Sequence, residues 1–526
     1  MTDPTWIVAV DLNGDGDYSD ADENISAYMM AMNFQNGFGD QFAPVARDNT
    51  ATIILKNDSK RFSPESASVF SADWTRGKRI RIQSTDPTGP TTRTMYVGWI
   101  DQIIPTPGTR AARTCTVRCA SYLDRLQTIE AFVPIQESKT ADQVIDAIVN
   151  NAGVFPPGIG ARWILGIVGR SELGETTHLG SVVDWLTAEV GKTTFNYIGD
   201  RWGDGVSVLA AFRDTMLREA GRLYVDRSGI VQFRNRHSLI LDTTSDQTFD
   251  ETMSGLDYSF GDRVFNAVTV RANPRKVGAA PEALARLDRA TKIEAANPTK
   301  IITFRYKELT AGGARIGGRN AIAPVATTDY TANAAENGSG ADLTGNISAK
   351  ITKESSTGCE VTYTSTAAVD AWLQSGFQIR GTAIRDYGRV SATRQIDSSV
   401  DAYGFIPYTY PGEMDNISDA EGMADFIASR DAVPKGISKT VKIEPRRNAT
   451  MLTAGLARTI FDRITLIEPQ TGMSKDYFII SERHAISRGK KYSVTWGIEP
   501  AESNRYWILG VAGFSELGET TWAGPF

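Results

Sequence analysis

The sequence predicts a mainly β protein of several domains with α+β parts, and three observations carry this prediction. The chain has 526 residues, which is too long for one hydrophobic core and suits roughly three or four domains. Hydrophobic residues make up 41% and charged residues 22%, with 47 glycines, a composition typical of globular proteins rich in loops. Short apolar or alternating runs, separated by turn-forming residues, recur in both the N-terminal and the C-terminal parts.

Residues 1–130 are predicted to form an N-terminal β domain. Its strand-like runs are TWIVAV, ATIILK, KRIRIQS, TMYVGWIDQII and RTCTVRCAS. Cys115 and Cys119 lie four residues apart in the last run and therefore face the same side. A thiol pair or half of a metal site is one interpretation. We favour buried apolar thiols, because three cysteines in the whole chain exclude a disulfide framework.

A small mixed α/β domain is predicted for residues 131–243. Thr140 and Gln143 form a capping box at the start of a helix over TADQVIDAIVNNAG. A second helix begins near Ser207 and ends before a glycine. The run RLYVDRSGIVQFRN then predicts a hairpin that turns at its Arg-Ser-Gly sequence.

Residues 244–500 are predicted to form a second β domain, with a loop-rich insertion at about 275–400 that is rich in Ala, Gly, Thr and Asn. A third helix is predicted to begin at Ser418, with Glu421 completing a capping box. The strand-like runs KTVKIEP, RITLIEP, DYFIISERHAIS and KKYSVTWGIEP follow. Residues 501–526 are predicted to be a separate tail.

One segment of the chain occurs twice. Residues 163–180 and 507–524 are identical at thirteen of eighteen positions. Two copies are too few for a solenoid, and the polar second half of the segment does not suit a core. An apolar start followed by a polar end predicts a docking segment with two equivalent receiving surfaces. The docking residues are expected to be Trp163, Ile164, Leu165, Ser171, Glu172 and Leu173 in repeat 1, and Trp507, Ile508, Leu509, Ser515, Glu516 and Leu517 in repeat 2.

An acidic loop near the N-terminus has the spacing of a calcium-binding loop. Hard oxygen donors alternate around Gly16, which supplies the sharp turn that such loops need. The alternative is an acidic hairpin loop whose Asp and Asn residues tolerate turn geometry. Ca²⁺ is the one cofactor that the sequence suggests. Its ligands would be Asp11, Asn13, Asp15, Asp17, Ser19 and Asp22.

No catalytic residues are predicted, and we expect a protein that is not an enzyme. The run ending Gly191-Lys192-Thr193 lacks the first glycine of a phosphate-binding loop, and GRSELG closes one residue too late for a nucleophile elbow. Three histidines without an H-E-x-x-H motif give little support to histidine catalysis or zinc binding.

Charge and hydropathy exclude further classes. A net charge of −6 lacks the basic footprint of nucleic-acid binding, and no apolar run is long enough to span a membrane. The N-terminus has no secretory pattern, so we expect synthesis in the cytoplasm. Trp74 and Trp202 stand in turn-rich contexts that suggest exposed interface anchors, whereas Trp99 and Trp185 fit a core equally well.

The segment NTATIILKNDSKRFSPESASVFSADWTRGKRIRIQS resembles one near the N-terminus of tail-tip hub proteins, a class of minor tail protein, in long-tailed, siphovirus-like bacteriophages. The runs VDLNGDGDYSD, YVGWIDQII, ASYLDRL, GRLYVDRSGIVQFRNR and RVFNAVTVRA agree with that family in order. The SELGETT segment is similar to one that recurs in minor tail proteins. The resemblance covers mainly residues 1–270 and the last segment, and it does not extend to 275–400.

The resemblance implies a homotrimer whose two tube-like β-barrel domains per chain, 1–130 and 244–500, match a sixfold tail tube to a threefold tip. It implies a virion protein of the tail tip or baseplate that gates DNA passage without recognising the DNA. Its partners would be tail-tube and distal tail proteins, the tape-measure protein and tip fibres or spikes. Two docking repeats in each of three chains would give one per tube-like domain. The alternatives are a tail-associated glycan-binding or cell-wall-degrading protein and, less favoured, a secreted β-adhesin.

Overall fold

A computed structural model describes residues 3–89, 91–107, 113–152, 169–171, 186–203, 205–250, 253–309, 314–489, 491–501, 506–507 and 522–523. The described chain is mainly β, which confirms the predicted fold class at that level. No helix in these ranges is long and apolar enough to cross a membrane.

The first six strands form what we call the N-terminal unit. Strands such as β3 and β4 alternate buried and partly exposed residues, because one face of the sheet covers the core. The order of strands across the sheet is β1-β4-β5-β6-β3-β2. The strands are β1 Thr5–Asp11, β2 Met29–Gly37, β3 Thr50–Lys56, β4 Arg79–Thr85, β5 Thr92–Pro105 and β6 Thr114–Ala120, with a 3₁₀ turn at Ser26–Tyr28.

A small α/β region follows and confirms the predicted helices and hairpin. The Thr140–Gln143 capping box is present, and the Ser207 side chain accepts the N–H of Ala210 at the start of the next helix. The helices are α1 Tyr122–Thr128, α2 Ala141–Asn150, α3 Val208–Glu219 and α4 Arg236–Leu241. The strands are β7 Glu130–Ala131, β8 Gln136–Thr140, β9 Gly169–Ser171, β10 Leu186–Glu189, β11 Thr194–Ile198, β12 Val206–Ser207, β13 Arg222–Val225 and β14 Val231–Arg234.

Six later strands form the C-terminal unit, which continues the sheet of the N-terminal unit. Strand β34 pairs with β2, so that the two units share one twelve-stranded sheet. The described strands of this sheet do not pair into a closed ring, and the predicted pair of separate barrels is not confirmed. The strands are β15 Gln247–Phe249, β16 Gly255–Leu256, β32 Thr440–Ile443, β33 Arg463–Glu468, β34 Met473–Ile486 and β35 Tyr492–Pro500.

The chain between β16 and β32 forms small sheets and one long helix around two hydrophobic cores. One core includes Leu284, Phe304, Tyr363 and Phe377, and the other includes Val268 and, from the helix, Met423. The strands are β17 Ser259–Phe260, β18 Ala267–Ala272, β19 Arg275–Val277, β20 Glu282–Arg286, β21 Thr291–Ile293, β22 Thr299–Arg305, β23 Gly317–Ile322, β24 Ala332–Asn333, β25 Ile347–Glu354, β26 Gly358–Ser365, β27 Ala371–Leu373, β28 Gln378–Asp386, β29 Val390–Gln395, β30 Pro407–Met414 and β31 Gly436–Ile437. The remaining elements are α5 Asp397–Tyr403, α6 Ile417–Asp431, α7 Ala449–Ala457, 3₁₀ turns at Thr344–Asn346 and Pro445–Arg447, β36 Tyr506–Trp507 and β37 Trp522–Ala523.

The predicted start of the third helix is wrong by two residues. Helix α6 begins at Ile417, and Asn416 rather than Ser418 is its N-cap, accepting the N–H of Asp419 at 2.9 Å. Asn and Ser are equally good capping residues, so the sequence alone cannot choose between two that stand this close.

Candidate assembly interface

The two units of the large sheet repeat one topology. In the N-terminal unit the strands follow the spatial order β1-β4-β5-β6-β3-β2, and in the C-terminal unit the order β15-β33-β34-β35-β32-β16. The six strands of each unit, numbered along the chain, therefore occupy the same places. The outermost pair differs, because β1 and β4 are antiparallel whereas β15 and β33 are parallel.

The repeat extends to single hydrogen bonds. The N–H of Ile100 donates to the backbone carbonyl of Lys78 at 2.9 Å, and the carbonyl of Ile100 accepts the N–H of Gly77 at 2.8 Å. In the C-terminal unit the N–H of Ile479 donates to the backbone carbonyl of Asp462 at 3.1 Å, and the carbonyl of Ile479 accepts the N–H of Phe461 at 2.6 Å.

The bulges also correspond. The β5–β6 ladder shifts register between Ile100 and Gln102, and the β34–β35 ladder shifts between Ile479 and Ser481. Bulges bend strands at defined positions, so a shared bulge gives both units the same local curvature.

The units join where β2 pairs with the second half of β34. The antiparallel register runs from Met32 opposite Ile486 to Gly37 opposite Ser481. Gly37 has φ +100, and a Cβ at this position would lie 2.3 Å from the carbonyl oxygen of Ile480. The close approach of the two strands therefore requires glycine here.

A buried charge network crosses this junction. Asn36 on β2 donates to Glu482 Oε1 at 2.8 Å, and Arg227 Nε donates to the same oxygen at 2.8 Å. Arg227 comes from the β13–β14 hairpin and also donates to the carbonyl of Leu456 at 2.7 Å. His484 Nε2 lies 3.2 Å from Glu482 Oε2, and the His484 ring stacks on Phe34 at 4.6 Å. The small α/β region thus contributes the Arg227 side chain to this network between the two units.

The electrostatics of this network favour an ionised Glu482. Burial raises the pKa of the Glu482 carboxyl, but the charge and hydrogen bonds of Arg227, aided by His484, outweigh burial and hold that pKa well below its usual range. Burial lowers the pKa of His484, and Glu482 offsets this only in part. The network at neutral pH therefore pairs one cation, Arg227, with one anion, Glu482.

A second ion pair ties the α/β region to the C-terminal unit. Arg222 Nη2 on β13 donates to both carboxylate oxygens of Glu499, at 3.0 and 3.1 Å. Glu499 also accepts the N–H of Phe42 at 2.8 Å. Residues from both units and from the α/β region also share one buried cluster, which includes Phe38, Phe212 and Ile480. The junction is therefore a packed interface of three parts of the chain.

The predicted calcium loop folds around its own hydrogen bonds. The carboxylate oxygens of Asp11 accept the N–H groups of Gly14 at 2.6 Å and Gly16 at 3.0 Å. Asn13 turns its amide nitrogen toward Asp15 at 2.8 Å, and Asp22 forms an ion pair with Arg61 at 2.5 Å. Within the described ranges no group of three or more His, Cys, Asp or Glu side chains is arranged to hold a metal. The calcium site stays a prediction.

Most residues of the two docking repeats lie outside the described residues. Of the predicted docking residues, the structure describes Ser171, in the strand that pairs with β10, and Trp507, in the strand Tyr506–Trp507 that pairs with Trp522–Ala523. The docking role of the repeats stays a prediction.

The expectation that Trp74 and Trp202 are exposed anchors is wrong. Trp74 is 1% exposed and packs on Phe62, with ring centroids 5.6 Å apart. Trp202 is 5% exposed and donates to Asp214 at 3.2 Å. Turn-rich flanks suggested exposure, but the loops that carry these residues fold over the cores.

The cysteines of β6 are buried, which confirms the interpretation as apolar thiols. Cys115 and Cys119 lie in the core shared by the two units. Burial raises the pKa of the Cys115 thiol to about 12, so the thiolate that binds metals or reacts is disfavoured.

Sequence reasoning missed Asn36, Arg227 and Glu482. Each stands in an ordinary context: a strand end, a hairpin turn and a strand of mixed polarity. The one available signal is that Glu482 and His484 occupy inward positions of a predicted strand, where unpaired charge is costly.

The fold and junction define a class of mainly β proteins with an internally repeated six-stranded unit. Comparison with protein-family models and with curated protein sequences finds no match. Among solved structures, the chain is similar to the 43 kDa tail protein of prophage MuSo2 from Shewanella oneidensis, with 9% identity, 94% of this chain and 98% of that chain covered, and a TM-score of 0.44. A tail protein from Neisseria meningitidis MC58 gives 8% identity, 94% and 96% coverage and a TM-score of 0.47. The prophage tail protein gp18 from Listeria monocytogenes EGD-e gives 8% identity, with 94% of each chain covered and a TM-score of 0.40.

Proposed function

We propose that this chain is a structural hub of a phage tail tip or baseplate, in which three copies present six similar units to a sixfold tail tube. The internal repeat carries the proposal. The two units share strand order, backbone hydrogen bonds and bulge position. Repetition at this level gives one chain two nearly equivalent building blocks of a ring.

Symmetry explains why such a chain is useful. A ring of six similar units built from three chains keeps the spacing of a sixfold tube, while the rest of each chain follows threefold symmetry. The long insertion between β16 and β32 occurs in the C-terminal unit only, where the N-terminal unit has the short connection between β2 and β3. The insertion therefore distinguishes the two units, so that a ring of three chains would have threefold rather than sixfold symmetry.

The proposed partners follow from this position. Tail-tube or distal tail proteins would contact one face of the ring, the tape-measure protein its lumen, and fibres or a spike the opposite face. DNA would pass through the lumen without specific recognition, and the net charge of −6 suits a surface to which DNA does not adhere. The protein would be made in the host cytoplasm and would reside in the virion.

The two docking repeats would bind equivalent grooves, one for each unit of the ring. Deletion of residues 507–526 should leave the melting temperature and the oligomeric state of the purified chain unchanged, but should reduce the yield of complete tails. Val369→Ser, at a residue that is 53% exposed in the insertion, is the matched control and should assemble normally. Normal tails from the truncated chain would refute the docking role.

A native mass measurement of the purified full chain tests the trimer. The proposal predicts a mass of three times 57.3 kDa. A monomer at every concentration tested would contradict the proposed hub.

A further inference from the structure

Each unit has, on the side that matters for assembly, a strand edge with no partner among the described residues. On β5, the pairing with β4 and with the two residues before β4 ends at Ile100. The same edge of β5 continues to Pro105 with no described strand beside it. On the C-terminal unit, β16 ends the large sheet, and β17 continues along the same line with only β31 on its inner side. Unpaired edges are templates for the addition of another strand.

The junction inside the chain shows what such edges do. The edge of β34 beyond Ile479 corresponds to the edge of β5 beyond Ile100, because the hydrogen bonds and bulges of the two strands match. In β34 this edge is occupied by β2. The equivalent place on β5 is empty in the described chain.

The strand equivalent to β2 can be identified row by row. Across the N-terminal unit Val117 faces Ile53, which faces Met32. Across the C-terminal unit Trp496 faces Val441, which faces Leu256. The two rows are equivalent, because Val117 pairs with the residue three places after Ile100 on β5, and Trp496 pairs with the residue three places after Ile479 on β34.

Met32 therefore corresponds to Leu256, and five residues further Gly37 (φ +100) corresponds to Gly261 (φ +78). The edge from Leu256 to Gly261 is thus the counterpart of the edge that pairs with β34.

We propose that residues 258–261 of this edge in one copy pair antiparallel with residues 102–105 of β5 in the next copy, repeating between chains the β2–β34 junction found within each chain. The partner is a second copy of this chain, because both edges belong to the same molecule and their union continues an interface already present. The inference rests on the proposed trimeric function and names the surface through which the ring would close.

The side chains on the two edges suit this pairing. The Asn36–Glu482 pair of the internal junction corresponds to Phe260 opposite Ile103, and the Phe34–His484 pair corresponds to Tyr258 opposite Pro105. Phe260 is 70% exposed and Tyr258 38% exposed, and their spacing of two places both aromatic side chains on one face of the strand, where the pairing would cover them together.

The ends of the pairing are also defined. Ile104, on the other face of the β5 edge, is 40% exposed and would gain cover from the added strand. Pro105 has no N–H to donate and therefore ends the ladder.

The contact is head-to-tail, since different edges meet. Such contacts close into rings when the rotation fits and otherwise grow into filaments. Three copies would alternate internal and intermolecular junctions and place six units in one ring.

A cysteine pair in the full chain tests the register. Directly opposed residues in an antiparallel ladder have Cα atoms about 5.5 Å apart or closer, within the reach of a disulfide. Ile103→Cys with Phe260→Cys should give, on oxidation, covalent dimers and trimers and no larger species. Ile103→Cys with Phe405→Cys, where Phe405 is 62% exposed on a different part of the chain, is the control and should stay monomeric on the denaturing gel. The absence of any cross-linked species would overturn the pairing, and cross-linked species of more than three chains would overturn the closed ring.

Charge substitution separates this inference from the proposed function. Ile103→Lys and Phe260→Glu should each weaken trimer formation at least tenfold, and the two together should restore it by placing opposite charges face to face. Val369→Glu is the control and should leave the trimer intact. A trimer that persists in both single variants would overturn this interface while leaving the trimeric hub standing. A wild-type chain that never trimerises would contradict both.

Discussion

Arg227 and Glu482, separated by 255 residues in sequence, form a buried ion pair at the point where the two repeated units meet. Arg227 enters from the hairpin of the α/β region, and Glu482 lies on the strand that pairs with the other unit. The pair therefore connects the hairpin of the α/β region to the junction between the two units.

Removing one partner of this pair should be costly. Glu482→Gln leaves the Arg227 guanidinium buried without its counter-ion, a loss of about 3–5 kcal/mol in typical buried pairs. The double variant Arg227→Met/Glu482→Leu should lose clearly less than the sum of the single variants. Urea unfolding monitored by tryptophan fluorescence measures these free energies.

The matched control for the ion pair is Arg394→Ala. Arg394 forms a 2.8 Å ion pair with Asp425, but both side chains are at least half exposed, so the variant should cost less than about 1 kcal/mol. Equal losses in the exposed and the buried pair would show that burial at the junction does not set the energy.

Gly37→Ala should destabilise the junction more than a glycine substitution elsewhere. The added Cβ would meet the backbone of Ile480, in addition to the strain of a positive φ. Gly472→Ala is the control, since Gly472 has φ +68 and open space around it, and should cost only about 1 kcal/mol. A larger loss in Gly472→Ala than in Gly37→Ala would contradict the close approach of β2 and β34.

Asp48 should make stability fall as the pH rises through about 6. Burial raises the pKa of Asp48 from 3.8 to about 6, although hydrogen bonds from Ser121 and Asp124 oppose the rise. The folded state therefore holds this proton more tightly than the unfolded state. The resulting stabilisation is complete below pH 3.8 and is lost as the pH passes 6.

The isosteric variant Asp48→Asn removes this titration. Relative to the urea midpoint of the wild type, the midpoint of the variant should rise between pH 4 and pH 7. Because both proteins keep every other ionisable group, their difference isolates Asp48. A difference that does not change with pH would refute the raised pKa.

The calcium prediction has a direct test. If the Asp11–Asp22 loop binds Ca²⁺, millimolar calcium should raise the melting temperature of the wild type, and a chelator should reverse the rise. Asp15→Asn should abolish the effect, because it removes one charged ligand. Asp58→Asn, an exposed residue outside the loop, should retain it. An unchanged melting temperature in the wild type would identify the loop as an acidic turn.

The sequence predicted local structure better than it predicted contacts. Strands such as β3 and β4, and helices α2 and α3, could be predicted because alternation and N-terminal capping residues act over a few neighbouring residues. The burial of Trp74 could not, because it depends on a loop that folds back over the core. Arg227 in an ordinary hairpin turn gives no sign of a partner in a strand that follows 255 residues later.

The repeated topology was equally hidden from the sequence, although two similar domains were expected from the family resemblance. The two units share strand order and bulges, but their equivalent strands share few residues, such as the Arg-Ile start of both β4 and β33, because strand pairing constrains which faces are apolar far more than which residues fill them. The segment that does repeat in sequence, SELGETT, lies outside both units.

Two-dimensional class averages from electron microscopy of the purified full chain test whether three copies form the proposed ring. We expect a ring with threefold symmetry and six similar lobes around a channel, with three further masses where the insertions lie. Particles the size of a single chain, or rings whose lobes are not six in number, would contradict it.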